Sequence, residues 1–193
     1  MRAEALAATW SEIARSGPLR ALDIGCGTGW WLERIADAGA RPADLHGIDR
    51  SETRVHAARQ RIPRADIRQG DAQELPWPDE SFNLVLLMLV LSSVGALPAV
   101  RRVLSEARRV TAPFGSVVIW EPRIPNPCNR STRVIRRATV RESLGDETRV
   151  RTLTLLPQVA RRLGPKTASR YRSLARIPIL RTHHLFVYER RPV

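Results

Sequence analysis

The chain has 193 residues, and 32 Lys plus Arg stand against 19 Asp plus Glu for a formal net charge of +13. That length supports one well-packed core with elaborations and excludes two full domains. The longest apolar run, LVLLMLVL at 84–91, is far short of the roughly 20 residues that cross a bilayer, and two cysteines, Cys26 and Cys128, exclude a disulfide framework and give no cysteine metal site.

The first segment, MRAEALAATWSEIARSG, mixes Glu4, Glu12 and Arg15 into an apolar pattern. It predicts an amphipathic helix over 1–19 and not a secretory leader, so the expected location is the cytoplasm. Strand-like runs follow at Ala21–Gly25, Asp44–Asp49, Asp66–Asp71, Phe82–Leu91 and Gly115–Pro122, and between them WWLERIADAGA, SETRVHAARQRI and PAVRRVLSEARRVTAP carry apolar residues at helical spacing. Alternating strands and helices predict an α/β fold, a parallel sheet covered on both faces. In such a sheet ligands gather at the carboxyl ends of the strands.

Beyond Pro122 the rhythm breaks. Residues 123–157 hold prolines, Asn and Arg without a clear strand-helix repeat; PQVARRLG and ASRYRSLARI then read as helical and THHLFVYERR as a closing strand. Residues 1–120 hold 15 Arg against 14 acids, whereas 121–193 hold 16 Arg and Lys166 against 5 acids, a net of +12. The excess suits either an anionic partner or a solvated cationic face.

The first strand runs into DIGCGTG, three glycines in five positions. Glycine lets the backbone turn sharply there and lets a ligand approach the next helix N-terminus. A dinucleotide fingerprint would need a third Gly where Trp30 stands, and that ring would crowd the helix-to-strand packing. A P-loop is excluded because no Gly-Lys-Ser/Thr follows. Asp49, 20 residues after Gly29 at a strand end, has the carboxylate geometry to accept two hydrogen bonds from a cis-diol, or it could serve as a helix N-cap with Ser51 nearby.

LDIGCGTG, GIDRS, GDAQELPWPDESFNLV and EARRVTAPFGSVVIWEPR, in this order over 20–122, resemble the class I S-adenosylmethionine-dependent methyltransferases, specifically the methyltransferase type 11 group. The resemblance implies a Rossmann-like, doubly wound, mostly parallel seven-stranded sheet with an antiparallel last strand. It implies S-adenosylmethionine as cofactor and S-adenosylhomocysteine as its spent form. It also implies a cofactor loop of Asp23, Gly25, Cys26, Gly27 and Gly29, ribose recognition by Asp49 beside Arg50, adenine recognition by Asp71 and Ala72, and Leu91 at the cofactor's edge. Residues 75–82 would close over the adenine, although Trp77 suits core packing equally. The chain departs from the family at Pro113-Phe114-Gly115, where Pro-Gly-Gly is usual, and at Asn83, where Asp is usual.

In this fold the acceptor lies past the fourth and fifth strands, which nominates Ser92, Ser93, Glu121 and Arg123. Glu121 and His184 are the candidate bases; His183 is its neighbour on the closing strand, where successive side chains face opposite sides. No Asn-Pro-Pro-Tyr or Asp-Pro-Pro-Tyr follows the fourth strand, which disfavours exocyclic amino-group chemistry and favours oxygen over nitrogen. The expected acceptor is a small or carbohydrate-like molecule. Residues 123–193 resemble the tails of bacterial enzymes encoded with surface-glycan and lipid-linked sugar pathways, which implies a phosphorylated or lipid-linked substrate aided by Tyr171 and Arg172. Two alternatives stand beside this: an RNA methyltransferase drawn by the basic tail, and a non-catalytic cofactor-binding scaffold. A short amino-terminal roof would suit completion by a second copy in a homodimer.

Overall fold

The computed structural model describes residues 19–125, 133–155, 177 and 181–191, with the backbone alone at 153–155. The helices expected in 1–18, 157–164 and 168–176, together with Cys128, Tyr171 and Arg172, lie outside the described residues. In chain order the elements are β1 (Ala21–Ile24), α1 (Trp30–Asp37), β2 (Leu45–Asp49), α2 (Glu52–Arg61), β3 (Asp66–Gln69), β4 (Phe82–Met88), α3 (Leu97–Val110), β5 (Thr111–Pro122), α4 (Arg137–Leu144), β6 (Arg149–Leu155) and β7 (Arg181–Glu189). Short 3-10 turns lie at Pro42–Asp44 and Leu91–Ser93.

The seven strands form one sheet in the order β3-β2-β1-β4-β5-β7-β6. β1 pairs in parallel with β2 and β4, β2 with β3, and β4 with β5. β7 runs antiparallel to both of its neighbours, as the resemblance implied. The strand order reverses between β1 and β4, and that switch point opens the crevice at their carboxyl ends.

Burial on both faces explains why the inner strands read as continuous apolar runs. Leu84 and Leu86 of β4 join Ala21 of β1 on the face covered by Leu32 and Ile35 of α1 and by Val55 and Ala58 of α2. Val85 and Leu87 join Leu22 and Ile24 on the opposite face, under Val100, Val103, Leu104 and Ala107 of α3 and Val140 and Leu144 of α4. The four α3 residues recur at helical spacing and make one apolar stripe.

Beyond shifts of a residue or two at other strand ends, three differences from the sequence reading stand out. β4 stops at Met88 because Leu89 enters the left-handed region (φ 65°) and the chain turns under β5. β5 begins at Thr111, four residues early, because Thr111 pairs with Phe82 ahead of an irregularity in the ladder. The tract read as irregular contains α4 and β6; in β6 exposed Arg149 and Arg151 alternate with half-buried Val150 and Thr152, a period-two edge pattern hidden by its arginines.

Phe114, in place of the family's Gly, adopts φ 62° and leaves its ring 76% exposed. A left-handed residue bearing a Cβ costs roughly 1–2 kcal/mol, while Gly loses about 0.5–1 kcal/mol in chain entropy. Phe114→Gly is therefore expected to raise the thermal midpoint slightly, and Phe114→Val to lower it. A fall with Gly would contradict the strain.

Candidate functional site

The chain leaves β1 through a corner tied to β2. Gly25 and Cys26 both donate N–H to the Ile48 carbonyl, at 2.7 and 3.0 Å, and the Gly29 N–H closes the bend on the Cys26 carbonyl at 2.9 Å. All three glycines are left-handed, with φ of 70°, 56° and 77°. Their surroundings differ. A Cβ on Gly25 would lie 2.6 Å from Val90 Cγ2, and one on Gly29 would lie 3.2 Å from Ala58 Cβ, whereas one on Gly27 would meet nothing within 4 Å. Gly29 thus gives the close helix contact, and Trp30, expected to crowd it, turns outward with its ring edge against Trp31.

Asp23 and Asp49 border this corner. Asp23 is 1% exposed and neither carboxylate oxygen has a hydrogen-bond partner. Burial, and then the charge of Asp49, raise its pKa to about 8. Asp49 Oδ2 accepts the Gly27 N–H and Oδ1 the Ser51 N–H, each at 2.9 Å. Each oxygen keeps a further lone pair. Ser51, not Asp49, is the N-cap of α2, accepting the Arg54 N–H at 3.4 Å. Arg50 is exposed beside it. The Cys26 thiol is buried and its pKa pushed up by desolvation and by both aspartates, which leaves it inert.

After β3, exposed Asp71 closes an Asx-type turn, Oδ1 accepting the Gln73 N–H at 2.9 Å, with Ala72 packed against the core. Sequence reading missed what holds the following loop. The Leu75 N–H donates to Glu106 Oε2 at 2.8 Å, and Arg109, itself bound to Glu106, donates to the carbonyls of Leu75 and Trp77 and to Asp79. The i, i+3 pair in SEARRV was its one signal. Trp77 is 5% exposed against Phe82 and His46, so it is core.

At the ends of β4 and β5, Glu121 is wholly buried and accepts the Leu91 N–H at 2.7 Å and the Ser92 N–H at 3.2 Å. Burial pushes its pKa up to about 7 against the pull of hydrogen bonds from Ser92 and Leu91. Leu91 and Ser92 are buried and Ser93 is exposed. His184 is the register partner of Glu121 on β7. It is 6% exposed with Nδ1 unpartnered, and burial, then Arg137, Arg123 and His183, lower its pKa to about 4. His183 points to the other face and stacks on Trp120 at 4.4 Å. The structure thus gathers Asp23, Asp49 and the glycines at the switch point, with Glu121 two strands and His184 three strands from β1 and Asp71 on the flanking loop.

A family model described as a methyltransferase domain matches residues 22–119. The chain belongs to this methyltransferase domain family. It is 36% identical over 108 residues to a demethylmenaquinone methyltransferase of Bacillus licheniformis, 54% of this chain and 45% of the relative, and 33% identical over 111 residues to that of Bacillus subtilis, 55% and 46%. The chain spans about half the length of the curated relatives it matches. Among solved structures, a SAM-dependent methyltransferase from Archaeoglobus fulgidus superposes with a TM-score of 0.68 at 18% identity, covering 97% of this chain and 94% of that one. The expected class I methyltransferase family, its fold and its cofactor are borne out at this level. No helix among the described residues is long and apolar enough to cross a membrane.

The residues fit S-adenosylmethionine. An orphaned buried carboxylate calls for a cationic partner, which the cofactor's amino acid portion supplies, and the space over Gly27 is open to it.

Two predictions follow from this geometry. Gly25→Ala is expected to destabilise by roughly 2 kcal/mol or more, since it adds a clash to left-handed strain, while Gly27→Ala costs only about 1 kcal/mol but abolishes binding of S-adenosylhomocysteine in calorimetry. Equal losses of stability would count against the open cradle. Asp23 holds in the folded state a proton that its unfolded carboxyl, near 3.8, releases. Stability of the ligand-free protein is thus greatest below pH 4 as far as this group acts, and is lost as pH rises toward 8. Denaturation of Asp23→Asn across that range should show a flatter profile, with the slope between about 4.5 and 7 from Glu121 retained.

Proposed function

We propose that the protein transfers the methyl group of S-adenosylmethionine to a small-molecule acceptor bound beyond the carboxyl ends of β4 and β5. The observation that carries this is the unpartnered, buried carboxylate of Asp23 beside the open space over Gly27, with Asp49 facing the same corner. In this reading residues 20–122 form the cofactor-binding core and 123–193 the acceptor side. Gly25, Cys26, Gly27 and Gly29 wrap the cofactor's methionine portion, Asp49 with Arg50 meets the ribose, Asp71 and Ala72 the adenine, and Leu91 the edge of the pocket.

When bound, the cofactor supplies a methyl group on a positively charged sulfur, a strong electrophile. The chain's task is then to align the acceptor and exclude water. Glu121 does the first indirectly, by fixing the Leu91 and Ser92 backbone where the acceptor enters. With a pKa of about 7 it also divides between acid and carboxylate at neutral pH, the range in which a general base is most effective. His184 is neutral there and can accept a proton.

Oxygen is favoured over nitrogen as the acceptor atom because LSSVGAL follows β4 in place of an Asn/Asp-Pro-Pro-Tyr sequence. A second reading, transfer to a ring carbon of a quinol, is favoured by the relatives named for demethylmenaquinone. Carbon-13 NMR of the transferred methyl group separates the two, because an O-methyl and a C-methyl differ in chemical shift though not in mass. Asp49→Ala is expected to weaken S-adenosylhomocysteine binding about 10-fold to 100-fold, the worth of a charge-assisted pair of hydrogen bonds. An unchanged dissociation constant would remove Asp49 from the site, and no binding by the native protein would remove the function.

A further inference from the structure

Arg133 returns the chain to the mouth of the site, donating its N–H to the Ser92 carbonyl at 3.0 Å. Four residues later α4 begins at Arg137, after Arg136 in extended conformation, with no side-chain cap and no acid in its first turn. Its first N–H groups and helix dipole therefore favour negative charge. Arg136 and Arg137 are both exposed. On β7, opposite Glu121, lies His184, a polar side chain more than nine-tenths buried whose Nδ1 meets no partner among the described residues. The guanidinium groups of Arg137 and Arg123 act on that imidazole through space. Arg123, at the end of β5, is bound by its N–H to the Thr182 carbonyl and by Nη1 to that of Arg181. Glu121 shares the face, but its carboxylate is turned to the Leu91 and Ser92 N–H groups.

We propose that the first turn of α4, with Arg123, Arg137 and His184, is a phosphoryl-binding subsite that holds the anionic head of the acceptor beside the ends of β4 and β5. The inference rests on the methyl-transfer reading and narrows its substrate class to phosphorylated acceptors. The guanidinium groups and helix N–H groups surround the phosphoryl oxygens, and His184 donates Nδ1–H to one of them. A buried imidazole with an unmatched nitrogen then has its partner only when the acceptor is in place, so the site distinguishes a phosphorylated molecule from its neutral counterpart.

The test follows the His184 imidazole by nitrogen-15 NMR in the full chain while inorganic phosphate is added, with S-adenosylhomocysteine binding measured by calorimetry on the same samples. Phosphate should shift the resonance saturably and raise the imidazole pKa. Arg137→Gln should weaken that response about 10-fold and leave S-adenosylhomocysteine binding intact. Two further arms assign the source: saturation by glycerol 3-phosphate marks a soluble phosphorylated acceptor, and Arg137-dependent binding to phosphatidic acid vesicles alone marks a lipid phosphate. No saturable shift with phosphate, or one that Arg137→Gln leaves unchanged, overturns the subsite. If the phosphate response holds while S-adenosylhomocysteine fails to bind, the methyl-transfer reading falls and the anion site stands.

Discussion

Two carboxylates, Asp23 and Asp49, stand at the carboxyl ends of adjacent strands and are buried by 99% and 92%. The charge of Asp49 disfavours ionisation of Asp23, and the fold treats the two differently. Asp49 accepts hydrogen bonds from the Gly27 and Ser51 N–H groups. Asp23 receives no hydrogen bond and keeps its proton instead. A hydrogen-bonding cation arriving from outside would relieve that arrangement. The glycine corner follows from the same demand: the backbone must pass between the two acids, give one of them an N–H and leave room for the visitor. Left-handed glycines are the residues that allow it.

The rest of the sheet serves this corner by fixing where the neighbouring loops can go. Val90 closes on Gly25 because β4 is cut short by left-handed Leu89, and Glu121 then captures the next two N–H groups. On the other flank, Glu106 and Arg109 fasten the Leu75–Asp79 backbone to α3. Both clamps use a charged group to satisfy loop N–H or C=O groups that no strand or helix pairs. Their effect is a rim that is ordered before any ligand arrives, which lowers the entropy lost on binding.

Most of the core architecture was legible because β1 to β5 are short apolar runs bounded by turn residues and separated by stripes at 3.6-residue spacing. The glycine corner was legible because glycines in such numbers after a strand mark a tight backbone turn. The sequence did not reveal that Gly25 and Gly29 are constrained by neighbours while Gly27 faces space, since Val90 and Ala58 lie far along the chain and meet them only in the folded state. Glu121 looked like a free base for the same reason; its partners are backbone groups 29 and 30 residues away. β6 was hidden by composition, because an edge strand that presents arginine to solvent repeats its apolar positions only half as often as a buried one.

The charge of the last third has a physical reading once the elements are placed. In β6 and α4 the arginines occupy positions facing solvent; Arg149 is balanced by Glu189, while Glu142 of α4 pairs with Arg101 of α3. Those are surface pairs of small energetic weight. Arg123 and Arg137 differ in position, because both act on a buried, neutral imidazole at the end of the sheet where the proposed acceptor subsite lies. Positive charge gathered around an uncharged, half-matched donor is unfavourable by itself and becomes favourable when an anion joins it. The same logic operates at Asp23 with the sign reversed. One end of the sheet therefore presents an orphaned acid to a cation and, three strands across, an orphaned imidazole amid arginines to an anion, and a cationic cofactor and an anionic acceptor would each complete one half of the same crevice.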